Sequence, residues 1–274
     1  MRSRDVARAD RLIAPLAWGN AGLVLAFLYL PVVVLAVFSF SDSRYAAVWN
    51  GFTTRWYGEL ARDVAVGRAL ANSALVAACT AVVATVLGTL LALGMARATR
   101  GRAALEGAVV APVVVPDVVQ GVSLLLFFSL LFGLVTRLTG ARPTLGLPTV
   151  IAGHGAFAIS YVALLVRARL AQLPPSLEEA ALDLGATPRA AFRRVTLPLL
   201  GPAVLGGALL AFTLSFDEFV IAFFTSGDRA PTLPVHVWSM VRRGVTPEMN
   251  ALSALLVAGS IVLVSLSALL QRSK

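Results

Sequence analysis

Three carboxylates stand in stretches of the chain that are otherwise almost wholly apolar. Asp117 falls in PVVVPDVVQGVSLLLFF, and Asp217 and Glu218 fall in AFTLSFDEFVIAFFTSG. An ionised carboxylate at a bilayer centre costs about 2.5–3.5 kcal/mol even on lenient insertion scales, so such groups face a bundle interior or a wet cavity. The apolar runs of this chain hold no Lys or Arg to neutralise them. That leaves a proton, water, hydrogen bonds or a transient cationic ligand. The chemistry on offer is therefore electrostatic, either passage of a cation or a proton relay through Asp117 and Asp217 in a secondary transporter. Local roles compete with both. Asp117 follows Pro112 and Pro116, whose kinks free backbone groups within its reach. Asp217 and Glu218 are neighbours, about 100° apart on a helix, which keeps both from facing one cavity squarely.

Bond-making chemistry is poorly represented. No loop carries a nucleophile–base arrangement, Cys79 stands alone, and neither His154 nor His236 has companions at metal-ligand spacing. These absences disfavour an intramembrane enzyme and a metal site. His154, between Gly153 and Gly155, is expected to hydrogen-bond within a helix bundle. Lys274 is the only lysine. A Walker A loop needs a lysine on the nucleotide phosphates, so any ATP hydrolysis must come from another chain.

The elements that would position the acids are membrane helices. Of the 274 residues, 58% are hydrophobic and 14% charged, against about 25% charged in a typical soluble domain. Apolar runs of about 20 residues can cross a bilayer as helices. Six occur, at roughly 20–40, 69–96, 107–134, 149–166, 199–225 and 250–270. Asp117 then lies about ten residues into the third run, roughly 15 Å along a helix and near mid-bilayer. Asp217 and Glu218 lie toward the outer end of the fifth. With the N-terminus inside, the inner segments hold 14 of the 23 Lys and Arg over a length matching that of the outer ones. This bias favours N-in and C-in, and Arg2, Arg4, Arg8 and Arg11 ahead of the first run strengthen it. The first run is longer than a signal-peptide core and lacks a small-residue cleavage pattern, so it reads as a retained span. The domains expected are a cytoplasmic segment 1–19, a six-span unit 20–270 and a tail 271–274. The net charge of +9 is spread over loops, without a basic stripe interleaved with aromatics, which argues against nucleic acid. Asn72-Ser73 reads as a polar start to the second span. The loop 226–249, with Trp238, Met240, Arg242 and Arg243, suits an interfacial helix or contact with a binding protein.

Between the fourth and fifth runs lies SLEEAALDLGATPRAAFRRVTLP, residues 176–198. Pro174 and Pro175 stop the helix carrying Arg167 and Arg169. Ser176 with Glu179 reads as a capping box, and Leu177, Ala180, Ala181 and Leu184 share one helix face. Gly185 sits where a left-handed C-cap belongs. Thr187 and Pro188 restart a helix as N-cap and first-turn residue, and Pro198 closes the unit. A hairpin with small residues on one helix and Arg189, Arg193 and Arg194 on the other suits docking in a groove of another protein, or packing on its own membrane domain.

The spacing Glu179-Ala180-Ala181, three residues, Gly185, nine residues, Val195, one residue, Leu197-Pro198 resembles the EAA signature of bacterial ATP-binding-cassette importer permeases, with Val in place of Ile. The resemblance continues through PVVVPDVVQGVSLLLFF, AFTLSFDEFVIAFFTSG, PTLPVHVWSMVRRGVTPEMNALSALL and ANSALVAACTAVVATVLGTLLALGMAR. Over nearly the whole chain it is similar to the second permease subunit of spermidine/putrescine importers. The resemblance implies an all-α membrane protein of the type I importer-permease kind, with six transmembrane helices and a cytoplasmic helix-turn-helix coupling loop, 171–198. It implies ATPase-coupling roles for Glu179, Ala180, Ala181 and Gly185, and a substrate pathway through Asp117, Asp217 and Glu218. It also implies a second permease subunit as heterodimer partner, two ATPase subunits that bind the ATP and Mg, no cofactor in this chain, an extracytoplasmic binding protein and the bacterial inner membrane. Polyamines are polycations, for which carboxylates beside Phe216, Phe219 and Phe223 make sense through charge pairing and cation–π contact. Where such relatives pair two aspartates, this chain has Asp217-Glu218. Import of another small solute, such as an aminophosphonate, an opine or a metal chelate, is the alternative within the family.

Overall fold

The computed structural model describes residues 2–43, 45, 48–97, 101–228, 230–244 and 246–272, with side chains described only between 17 and 262. The side chains of Arg2, Arg4, Arg8, Arg11 and Lys274 therefore lie outside the described residues. The helices in chain order are α1 (Arg2–Phe38), α2 (Arg55–Arg62), α3 (Val64–Arg97), α4 (Arg102–Val114), α5 (Asp117–Thr139), α6 (Leu147–Leu170), α7 (Ser176–Asp183), α8 (Pro188–Ala191), α9 (Leu197–Asp217), α10 (Val220–Thr225), α11 (Leu233–Arg243) and α12 (Pro247–Arg272). A π-helical turn, Phe192–Thr196, joins α8 to α9. Among the described residues there is no strand, only an isolated antiparallel bridge between Ser41 and Phe52. Among the described residues, five helices are long and apolar enough to cross a membrane: Ala17–Phe38, Val64–Arg97, Asp117–Thr139, Leu147–Leu170 and Pro188–Asp217. The sixth apolar run falls on α12, whose described apolar part is Pro247–Val262.

The chain forms two compact units, 1–64 with 239–274, and 65–238. In the first, α12 packs on α1 and α2. The segment after α1 is pinned by the Trp56 indole N–H, which donates to the Ser41 carbonyl at 2.8 Å, while the Arg55 guanidinium lies 4.3 Å over the Trp56 ring.

In the second unit α6 is central. Of its most apolar stretch 61% is buried, against 11% for α5, and Val162 and Val166 are wholly enclosed. Small residues let neighbouring backbones approach. A Cβ at Gly88 of α3 would lie 2.8 Å from both the Ile159 carbonyl oxygen and Val162 Cβ, and one at Gly207 of α9 would lie 3.2 Å from Val162 Cγ1. Asn72 and Ser73 do not begin a helix. They lie inside α3, where Asn72 donates to the Pro231 carbonyl at 3.0 Å and Ser73 Oγ accepts from Leu233 N–H at 2.8 Å, tying down the start of α11. The helix expected in 226–249 is thus present, held by two polar residues of a membrane helix.

Two apolar runs are broken helices. The third is interrupted between Val114 and Asp117, because Pro116 lacks an N–H and drives Val115 to extended geometry (φ −69°, ψ 129°). The fifth is interrupted at Glu218, also extended (φ −70°, ψ 117°).

Candidate functional site

The two breaks meet. Asp117, Thr213, Leu214, Asp217, Glu218, Phe219 and Val220 line one open groove of about 520 Å³. Asp117 is the first residue of α5 rather than a residue ten positions into a span, because the helix restarts after Pro116. The carbonyls freed at that break are met by Gln120, whose amide donates to Pro112 and Val115 at 2.9 Å each. The Asp117 side chain is left exposed to the groove. Asp217 ends α9 and is likewise exposed, while Glu218 turns out of helical geometry. The 100° separation expected of helical neighbours therefore does not apply, and both line the groove.

Glu218 is held differently from the aspartates. Its carboxylate accepts the N–H groups of Val220, Ile221 and Ala222 at 3.1, 2.9 and 3.2 Å, filling the donor positions at the start of α10. His154 sits behind it, wholly buried, with Nδ1 2.7 Å from Ser215 Oγ and Nε2 3.8 Å from Glu218 Oε2. The expected bundle hydrogen bond of His154 is the Ser215 contact. The proximity to Glu218 had no sequence signal, since it depends on how α6 crosses the break after α9. Phe219 packs on Phe223 and on Trp238, with ring centroids 5.7 and 5.5 Å apart. An aromatic wall thus adjoins the acids, and Trp238 joins it from α11, a proximity to Phe219 that spacing alone did not show. Phe216 instead stacks on Phe212 at 6.0 Å. Among the described residues no cluster of His, Cys, Asp or Glu is arranged to hold a metal ion. The groove can receive a positively charged, partly apolar ligand.

The hairpin after α6 forms largely as its spacing predicts. Gly185 has φ +85°, its N–H donates to Leu182 at 2.9 Å, and Ala186 N–H donates to Ala181 at 3.0 Å, a Schellman closure. Thr187 Oγ1 accepts from Ala190 N–H at 3.3 Å, with Pro188 opening α8. The capping box is not formed. Pro175 is already helical (φ −56°, ψ −31°), so Ser176 lies inside the first turn and caps nothing. Nor does Pro198 close the unit, because the π turn, sealed by Leu197 N–H to the Phe192 carbonyl, carries the helix past it. Thr196 Oγ1 donates to Glu178 at 3.2 Å and fastens α7 to this turn. No residue of α7 is buried. Glu179, Ala180 and Gly185 are exposed, Ala181 is half-buried and Leu184 is 90% exposed. Much of the apolar face of α7 is thus left open on this chain. Near the start of the same loop, Glu106 on α4 pairs with Arg102 and with Arg167 at the end of α6. Hydrogen bonds from Arg102, then Arg167, hold its carboxyl below the usual range.

The chain is 46% identical over 236 residues to the putrescine transport system permease protein PotI of Escherichia coli (strain K12), covering 85% of this chain and 83% of that protein. It is 37% identical over 252 residues to the spermidine/putrescine transport system permease protein PotC of the same strain, covering 92% of each. Its fold matches that of a bacterial ABC transporter that imports the acidic polysaccharide alginate, with TM-score 0.78 at 17% identity over 98% of this chain and 97% of that one. The MetNI methionine ABC transporter matches at TM-score 0.56 and 19% identity, over 79% and 95%. A family model, the binding-protein-dependent transport system inner membrane component, matches residues 84–273. Together with the broken apolar helices and the exposed hairpin, this extent of match means that the chain belongs to the inner-membrane permease components of binding-protein-dependent transport systems.

Proposed function

We propose that this chain is a permease subunit of an ATP-driven importer whose cargo is a polyamine, putrescine or spermidine. It works beside a second, similar permease subunit, with the pathway between them. Two ATPase subunits bind on the cytoplasmic side and an extracytoplasmic binding protein delivers the cargo. Both termini are cytoplasmic. Glu179, Ala180, Ala181 and Gly185 form the contact and hinge that couple the hairpin to the ATPase, which supplies the hydrolysis for which this sequence carries no Walker A motif. Asp117, Asp217 and Glu218 supply negative charge along the path.

The observation that carries the cargo assignment is the meeting of three carboxylates from two separate helix breaks in one groove, beside Phe219 and Trp238. Carboxylates attract ammonium groups, and aromatic faces add roughly 0.5–2 kcal/mol per cation. The test is purification from native membranes in mild detergent, followed by reconstitution in liposomes. An ATPase and a second permease should copurify, and uptake of labelled putrescine should require ATP. Transport by this chain alone, without ATP, would instead point to the acids as proton carriers.

A further inference from the structure

His154 has no role in the transport scheme above. Its ring is wholly buried on α6, with Phe157 stacked obliquely at 5.9 Å between centroids. Nδ1 meets Ser215 Oγ at 2.7 Å, while Nε2 is buried without a hydrogen-bond partner and sits 3.8 Å from Glu218 Oε2. A neutral imidazole donates from one nitrogen and accepts at the other. If Nδ1 carried the proton, the Nε2 lone pair would face a carboxylate. If Ser215 donates to Nδ1, Nε2–H faces Glu218 and a shift of under about 1 Å closes the bond. Electrostatics favours the second arrangement. Glu218 is 11% exposed and already takes three backbone N–H groups, whereas Asp117 and Asp217 are exposed.

We propose that His154 is a positioning residue of the groove: fixed by Ser215, it holds Glu218 turned onto the start of α10, so that Asp117 and Asp217 alone present carboxylates to the cargo. The proposal rests on the polyamine reading and divides its three acids by role. Two carboxylates of this chain meet the ammonium groups, and the third is kept as an anchor. Releasing Glu218 adds a third free charge and shifts preference from the dication putrescine toward the trication spermidine.

The test uses the complete importer, with its partner subunits and binding protein, in ATP-loaded liposomes, and compares KM and kcat for putrescine and spermidine. His154→Leu should move the ratio of KM values about tenfold toward spermidine, the size of one charge-assisted hydrogen bond, with kcat nearly unchanged. His154→Gln, whose amide N–H can replace Nε2–H, should restore the wild-type ratio. Adding Glu218→Gln to His154→Leu should abolish the shift. Equal changes for both substrates, or a fall in kcat alone, overturn the proposal by making His154 a packing residue. If His154→Leu does not assemble, Ser215→Ala takes its place and must shift the ratio in the same direction; an unchanged ratio there overturns the proposal. Wild-type importer that takes up neither polyamine overturns the polyamine reading itself, whereas normal wild-type uptake with unshifted variants overturns the positioning role alone.

Discussion

At Asp117 and Asp217 the side chains are open to the groove, while at Glu218 three backbone N–H groups converge on the carboxylate. Substitutions at these positions should therefore fail in different ways. Asp217→Asn removes charge and leaves the fold alone, so KM for putrescine uptake should rise about tenfold or more, at unchanged yield of assembled protein. Asp117→Asn should do the same. Glu218→Ala leaves the start of α10 without acceptors, at about 1–3 kcal/mol for each buried donor left unsatisfied, and should lower the thermal stability of the purified complex. Glu106 permits a prediction about pH. Its folded-state pKa lies below the ordinary value because of Arg102 and Arg167, so its contribution is present above the ordinary range, about 4.3, and is lost as pH falls through the depressed value. Arg167→Gln should therefore loosen the start of α4 from α6 at neutral pH, seen as faster hydrogen exchange in α4, and should have no effect in strong acid.

Among the elements, the hairpin depends most on single residues. Gly185 at φ +85° lies in the left-handed region, which proline, fixed near −65°, cannot enter. Gly185→Pro should abolish uptake while the chain still inserts in the membrane, and ATPase activity measured alongside should no longer depend on binding protein. Thr187→Ala should cost about 1 kcal/mol of helix stability. This hairpin was readable in advance because its signals are local: a glycine, a threonine and a proline act within four residues of themselves. Ser176 misled because the proline pair ahead of it had already begun the helix. The helix breaks were harder to see. Pro116 marked one, and its effect on Val115 follows from sterics, yet continuous hydropathy made 107–134 look unbroken. At Glu218 there was no proline or glycine at all, only two adjacent acids. The convergence of the breaks was not legible, because it depends on how α5 and α10 pack, about 100 residues apart in sequence.

At the scale of the molecule, the packing of α6 against α3 and α9 turns on glycines. A side chain at Gly88 would meet backbone and a branched Cβ, neither of which can move aside. Gly88→Val should lower the apparent Tm of the detergent-purified complex by several degrees, whereas Gly94→Val on the same helix, with open space around it, should leave it nearly unchanged. The family resemblance was legible in full, since it rests on motifs spread along the chain, and the five long apolar helices agree with it. The helix that leaves the hairpin has a mechanical consequence. From Pro188 through the π turn to Asp217 it runs as one helical stretch of 30 residues, with Pro202 inside it, about 45 Å at helical rise. It is a connecting rod, with the handle at Thr187 and a charged tip at Asp217. A push or twist at one end is carried toward the other, the π turn and Pro202 being the places where the rod can bend, and the π turn sets the angular phase between them. Deleting one residue from that turn would rotate the tip by about 100° relative to the handle, leaving both ends intact and the stroke misdirected.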